Sequence, residues 1–578
     1  MDSSRVLVAV ILSIVLIVAY QELVLKRFYP PPTQQQMEQA KAAEQAQARA
    51  VGNAPAPISS TGTNAGAVSS PGTNARGAGP PSASQANSLA GTNAGAPERT
   101  VTVDSDLYVA EFTTHGARLK SFKLKNYKRT ADKNSPPYEM VQVAPGGHLP
   151  LGAVMTRGEQ VLDDSELDYT TEAPARIELG PGPGNGSTVV FTGASTDGTA
   201  LTKTFSFRRS SYVFTMDVAA TGTTKLDQLG EAMSQPLTAH QGYYDIPELQ
   251  ADVNDKVITH NEKSLKNLKP EDSAVAGPIT YAGFGDRYFL SAFLPEEPKT
   301  GRLVMAYAGD EALARLLFDG TTRIHSQVYM GPKLLEALEA ANPALRKAID
   351  FGWAGILALV FLRTLKLFHY VAPNYGVDII LLTVSIRILF LPMSIKSQRS
   401  MMKMQRLQPQ MERLREKYKD NNEQLQKEMV DLYKRNHVNP LGGCAPMALQ
   451  LPIFIGLYEA LLNSVELRHA PFLAWINDLS TPDCLPISWM PQLPMVHCHG
   501  LPVLVLLMGA SSFVQQYMTP TSPDPNQQKM MMLTPLIFTI MLINFPAGLS
   551  LYYFSSNVLG VIQQYFLNKE FQQYTPAT

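Results

Sequence analysis

Five stretches of apolar sequence crowd the last third of this chain, at about 375–395, 441–465, 501–517, 531–545 and 548–567. A hydrocarbon core about 30 Å thick is crossed by roughly 20 apolar residues in a helix. Because lipid offers the backbone no hydrogen-bond partner, such stretches must be helical. Another run, 6–25, is broken only by Ser13, Gln21 and Glu22. It is longer than the apolar core of a signal peptide and no A-x-A-like site follows, so an uncleaved anchor is preferred to a cleaved leader. The expectation is a polytopic α-helical membrane protein with six transmembrane helices, five of them forming a core.

Between anchor and core the composition changes twice. Residues 28–98 are Ala, Gln, Gly, Ser, Thr, Asn and Pro, with GTNA repeated at Gly62, Gly72 and Gly91. With almost no large apolar residues this segment reads as a flexible linker. From 99 to 332 the period becomes two: Leu201, Lys203, Phe205 and Phe207 alternate with polar neighbours, then Tyr212, Phe214, Met216 and Val218. Short strands between Gly- and Pro-rich turns predict an inserted all-β sandwich. His115, His240, His260 and His325 are scattered there without metal-ligand spacing. Residues 333–374 turn helical, and Arg363, Lys366 and Tyr370 make a polar stripe opposite an apolar face. That pattern suits a helix lying in the membrane interface, with spanning as the competing reading.

Charge sets the orientation. Residues 396–435 hold eleven Lys and Arg, against Arg468 alone in 466–500. Basic loops stay in the cytoplasm, which places both termini inside and the β domain outside. Lys26 and Arg27 outside the first span disagree, but a long domain translocates despite a few flanking charges. The basic segment, bounded as 396–438, reads as a helical hairpin. Leu407, Met411, Leu414 and Tyr418 form one stripe, Leu425, Met429, Leu432 and Tyr433 the other. Arg406, Arg413, Arg415 and Lys417 are its candidate contact residues. Residues 571–578 form a short tail. The formal net charge of -1 argues against a nucleic-acid binder.

Arg387 stands in an otherwise apolar span, where a guanidinium costs at least about 2.5–3.5 kcal/mol. Thr383 shares its helical face. Glu459 in the next span lies too far along the membrane normal to pair with it, by roughly 17 Å at about 1.5 Å per residue. Arg387 is therefore expected to face a wet cavity. In the last span Tyr553, Ser556 or Asn557, Gly560 and Gln564 share one face, and Gln450 and Asn544 can line the same space. Single polar residues also serve as glue between helices, the preferred reading for Gln515 and Gln516. Cys484 and Cys498 can close a disulfide in an oxidising compartment, or join His497 and His499 on a metal, though their spacing matches no strong zinc pattern. No metal or cofactor site and no catalytic motif is recognised, so an enzyme is not expected. An anion or solute transporter using Arg387 is the alternative, against which no internal repeat is found.

Several strings resemble the YidC family of membrane-protein insertases: GFGDRYFLSAFLP (283–295), YMGPK (329–333), DFGW (350–353), NPLGGC (439–444), SVELRHAPF (464–472) and FPAGLSLYYFSSN (545–557). The resemblance runs in order from about 99 to 567. It implies an inner-membrane protein with a periplasmic β-supersandwich and a five-helix core. That core would enclose a hydrophilic groove open to cytoplasm and lipid. Arg387, Thr383 and Tyr553 take the positions of the family's groove residues. Nascent membrane proteins, the Sec translocon, lipids and the ribosome and signal-recognition-particle pathway are the implied partners. Glu459 stands where an aromatic is common, and the short, nearly uncharged tail departs from the basic ribosome-binding tails of some relatives.

Overall fold

The computed structural model describes residues 87–573, apart from 90, 93–96, 181–185, 223–224, 239–245, 309, 420, 437, 439–444, 490–499 and 520–524. The expected N-terminal anchor, most of the linker and the tail beyond 573 lie outside the described residues.

The period-two segment folds as a β-sandwich. Thr199–Arg208 buries every second side chain. Antiparallel register to Val213–Gly222 sets Leu201 opposite Ala220, Phe205 opposite Met216 and Phe207 opposite Phe214, so both strands turn their large residues to one core. The long strand Ala274–Gly285 joins two layers: residues 274–278 pair with Thr300–Ala308, and its later residues with Glu248–Val253 and Phe289–Glu297. Gly277, at φ +146°, marks the changeover, where an ideal Cβ would fall 2.0 Å from Asn254 Oδ1. A smaller sheet of Pro137–Glu139, Arg118–Lys128, Tyr108–Thr113, Thr100–Asp104 and Arg176–Glu178 packs into the same core.

Ionisable groups lie deep in this domain, Lys203 and Glu231 among them. Lys203 is wholly buried, its Nζ 2.5 Å from Asp164 and donating to the carbonyls of Gly116 and Leu151. Burial pulls its ammonium down to about 8. Glu231 accepts from the Ser326 hydroxyl at 2.9 Å. Its burial pushes the carboxyl up to about 8.

The linker does not stay free up to residue 98. Asn87–Ser88 pairs in parallel with Leu162 and Asp163, and Gly91 bridges to Ser195. Leu89 explains this: it is a large apolar side chain in a polar segment and is 4% exposed in the β core.

In the helical part, α1 spans Gly355–His369, α2 Tyr375–Arg406, α3 Gln408–Lys417, α4 Asn422–Arg435, α5 Ala445–Leu462, α6 Val503–Met518, α7 Pro525–Met541 and α8 Ala547–Gln573. At 15 residues α1 is roughly 22 Å long, short of the roughly 30 Å hydrocarbon core. Among the described residues only α2 is long and apolar enough by itself to cross a membrane. α2 also runs eleven residues past the expected end at 395, because no Pro or Gly occurs between 396 and Pro409. The Asn374 side chain caps it, accepting from Gly376 and Val377. The basic hairpin is present as α3 and α4, closed by Leu407, Met411, Tyr433 and Val438.

Candidate functional site: a polar cavity beside an apolar groove

α2 and α8 pack side by side, with α5 and α6 against them. Arg387 projects from α2 onto α8. Its Nε donates to Ser556 Oγ at 3.1 Å, and one terminal nitrogen donates to the Ser556 carbonyl at 2.6 Å and hydroxyl at 2.9 Å. Among the described residues these bonds all go to neutral groups. The expectation that Glu459 does not pair with Arg387 agrees with the geometry. Glu459 accepts from Asn463 at 2.9 Å and lies beside Gly352, at the β-domain end of α5.

Around the guanidinium is a small cavity of about 50 Å³, whose polar lining includes Thr383, Ser394, Gln450, Tyr552, Ser556 and Gln563. Thr383 is fully buried and donates its hydroxyl to the Ile379 carbonyl. Gln450 donates to the Tyr552 hydroxyl at 2.8 Å, tying α5 to α8. Gln563 reaches Ser394 and Gln398 on α2. On its other side Arg387 borders an apolar groove of Val384, Ile388, Leu391, Leu559, Ile562 and Phe566. A small charge-bearing cavity thus meets an apolar trough at one side chain.

The structure separates residues that the sequence grouped. Tyr553 turns away from the cavity into an aromatic cluster with Phe538 at 5.1 Å and Phe454 at 5.5 Å. Tyr552 takes the wall beside Arg387. Adjacent residues on a helix differ by about 100° in direction, so the two tyrosines cannot share a face. Asn557 belongs to the α6 contact, donating to Ser511, Ser512 and the Met508 carbonyl. Asn544 lies before α8 starts, on the β-domain side, and does not line the cavity. Gln564 donates to Asn568 within its own helix. Gln515, expected as glue between helices, reaches from α6 to α8, where an ideal Cβ on Gly560 would lie 2.5 Å from its Nε2 and 3.2 Å from Arg387. Sequence reasoning missed Tyr552, Ser394 and Gln563. The i, i+4, i+11 spacing of Tyr552, Ser556 and Gln563 is a helical face, but only the position of α2 shows that it is the relevant one.

Arg406, Arg413 and Lys417 are exposed on the hairpin, and Arg415 is half-buried. Cys484 is disulfide-bonded. Its Sγ lies close to Gly500, while Cys498 falls outside the described residues.

Comparison with known proteins places the chain in a family. A family model described as YidC periplasmic domain matches residues 100–363, and one described as 60Kd inner membrane protein matches 366–574. A membrane protein insertase YidC from Syntrophobacter fumaroxidans is 34% identical over 510 residues, covering 81% of this chain and 86% of its own. Its namesake from Geotalea daltonii is 33% identical over 585 residues, covering 98% and 99%. The chain belongs to the YidC family of membrane protein insertases. It is an inner-membrane protein with a large periplasmic β-sandwich. A crystal structure of an active YidC insertase with its first transmembrane domain resolved covers 85% of this chain and 95% of its own, at 17% identity and TM-score 0.36. YidC relatives are named as insertases, and neither matching family model names an enzyme.

Proposed function

We propose that this protein inserts nascent membrane proteins by holding a client's polar tail in the Arg387 cavity while its apolar segment lies along the adjoining groove. The observation that carries this reading is Arg387 itself, a cation in an apolar helix that among the described residues hydrogen-bonds to neutral Ser556 and borders both the cavity and the groove. A charge in that position costs several kcal/mol, and an acidic client tail repays it. Shielding polar groups from hydrocarbon lowers the barrier to crossing. Burial of the client's apolar span supplies the driving force without a nucleotide.

The same reading assigns six spans with both termini in the cytoplasm. Contact between Arg468 and the periplasmic domain supports an external position for the loop after α5. The basic hairpin then faces the cytoplasm, where Arg406, Arg413, Arg415 and Lys417 meet lipid headgroups, ribosome or incoming clients, with the Sec translocon and the signal-recognition-particle pathway as partners. Cys484 pairs with Cys498 across the external loop, and non-reducing peptide mapping that finds Cys484 joined elsewhere refutes that pairing.

Photo-crosslinkers at Ile562, on the groove edge, and at Ile356, on α1, test the mechanism with ribosome-bound single-span clients. Crosslinks from Ile562 that weaken in Arg387→Glu for acidic-tailed clients are expected. Absence of Ile562 crosslinks in membranes where the clients still insert overturns the groove reading.

A further inference from the structure

The loop joining α5 to the strand pair at Leu485–Pro486 and Gly500–Leu501 touches both halves of the molecule. At the helical end it covers the starts of three helices. Phe472 packs so closely on Gly376 that an ideal Cβ there would fall 2.0 Å from its ring, and Asn374 donates to the Phe472 carbonyl. The Thr481 and Leu479 carbonyls accept from Ala547 and Gly548 at the start of α8. Asp483 accepts from the Leu504 amide at the start of α6 and from the Trp475 indole. At α6 and α8 these contacts occupy amides that helix starts otherwise leave unmet.

The other end of the loop enters the β domain. Val465 is 2% exposed within the β-sandwich core. Arg468 donates to the Lys128 carbonyl at 2.7 Å and the Arg129 carbonyl at 3.2 Å. Its guanidinium lies 5.0 Å from the Tyr138 ring centre, 5.3 Å from Phe289 and 5.8 Å from Tyr288. That socket is itself braced. Tyr138 stacks on Phe289 at 3.9 Å and donates to Asp286, which also accepts from the Tyr288 and Phe289 amides. Two carbonyl acceptors and three aromatic rings around one planar cation use the features that distinguish arginine from lysine. Beside it Lys366 of α1 bridges Glu466 of the loop and Glu336 of the segment leaving the β domain, at 2.7 Å each.

We propose that Arg468 is a positioning residue, a latch that fixes the periplasmic domain to the loop capping α2, α6 and α8. The β-sandwich supplies the socket, and the capping loop supplies the bolt. This inference stands apart from the groove reading, since it concerns the opposite end of the helices and needs no client.

Hydrogen exchange on the full chain in lipid nanodiscs tests it, comparing the parent with Arg468→Ala and Arg468→Lys. Removing a charge-assisted, ring-packed contact is expected to speed exchange roughly tenfold or more at the Ala470, Leu479 and Gly548 amides. Arg468→Lys should fall between, and amides of the 199–222 hairpin should keep their protection in at least the Lys variant. Unchanged exchange in the loop for both variants overturns the latch. Equal loosening of the loop and the 199–222 hairpin in both variants also overturns it, by making Arg468 a general stability residue. Crosslinking from Ile562 reads the groove independently, so either idea can fail alone.

Discussion

Tyr552 and Tyr553 show how much hangs on a single position. The Tyr552 hydroxyl accepts from Gln450, so Tyr552→Phe deprives the half-buried Gln450 amide of that acceptor, at about 1 kcal/mol. Tyr553 contributes ring contacts that phenylalanine retains. Tyr552→Phe should therefore lower the insertion of acidic-tailed clients several-fold and Tyr553→Phe much less, read by protease protection of the translocated tail. The reverse order would show that the Gln450 bond is immaterial to insertion. Gly283 makes a harsher demand, because an ideal Cβ would lie 2.1 Å from the Ser291 carbonyl oxygen across the strand pair. Backbone cannot step aside as a side-chain tip can, so Gly283→Ala is expected to cost about 1–3 kcal/mol. A lowered chemical-denaturation midpoint checks it, and an unchanged one would contradict the close approach.

At the level of elements, the α3–α4 hairpin rests on few contacts. Met411 is fully buried against Tyr433, whose hydroxyl reaches its sulfur at 3.9 Å. Met411→Ala removes most of that contact, about 2–5 kcal/mol in a well-packed site. Trypsin should then cut faster at Lys417 and Lys419 with the β domain intact; unaltered cutting would mean that other contacts close the hairpin. Alternation around Phe205 and Phe214 made the β strands legible, and the stripe through Leu407 and Met411 did the same for the hairpin. Arg387 announced itself by its cost in lipid. What stayed illegible depended on neighbours distant in sequence. Asn557 is polar on the same helix as Ser556, yet one faces α6 and the other α2. Leu89 looked isolated because the strand it joins starts at Gln160, seventy-one residues later.

For the whole molecule, acid and base act on the β-sandwich through its buried charges. The Glu231 carboxyl titrates near 4.5 when exposed and at about 8 when folded. The folded state thus holds more protons between those values, and its stability falls as pH rises through them. Glu231→Gln keeps an acceptor for Ser326 and removes the titration. Its melting temperature should draw ahead of the parent's between pH 4.5 and pH 8. A constant offset across that window would mean that Glu231 does not govern it. Helix α2 has a mechanical consequence of another kind. Its 32 residues make a rod of about 48 Å, anchored at Asn374 and joined directly to the basic hairpin at Arg406. Arg387 rides on that rod, and Pro392, just past it, has no amide to offer the Ile388 carbonyl. A tug on the hairpin by an arriving load therefore flexes the rod first at its softest joint, little more than one turn from the arginine, as a tiller moves a rudder.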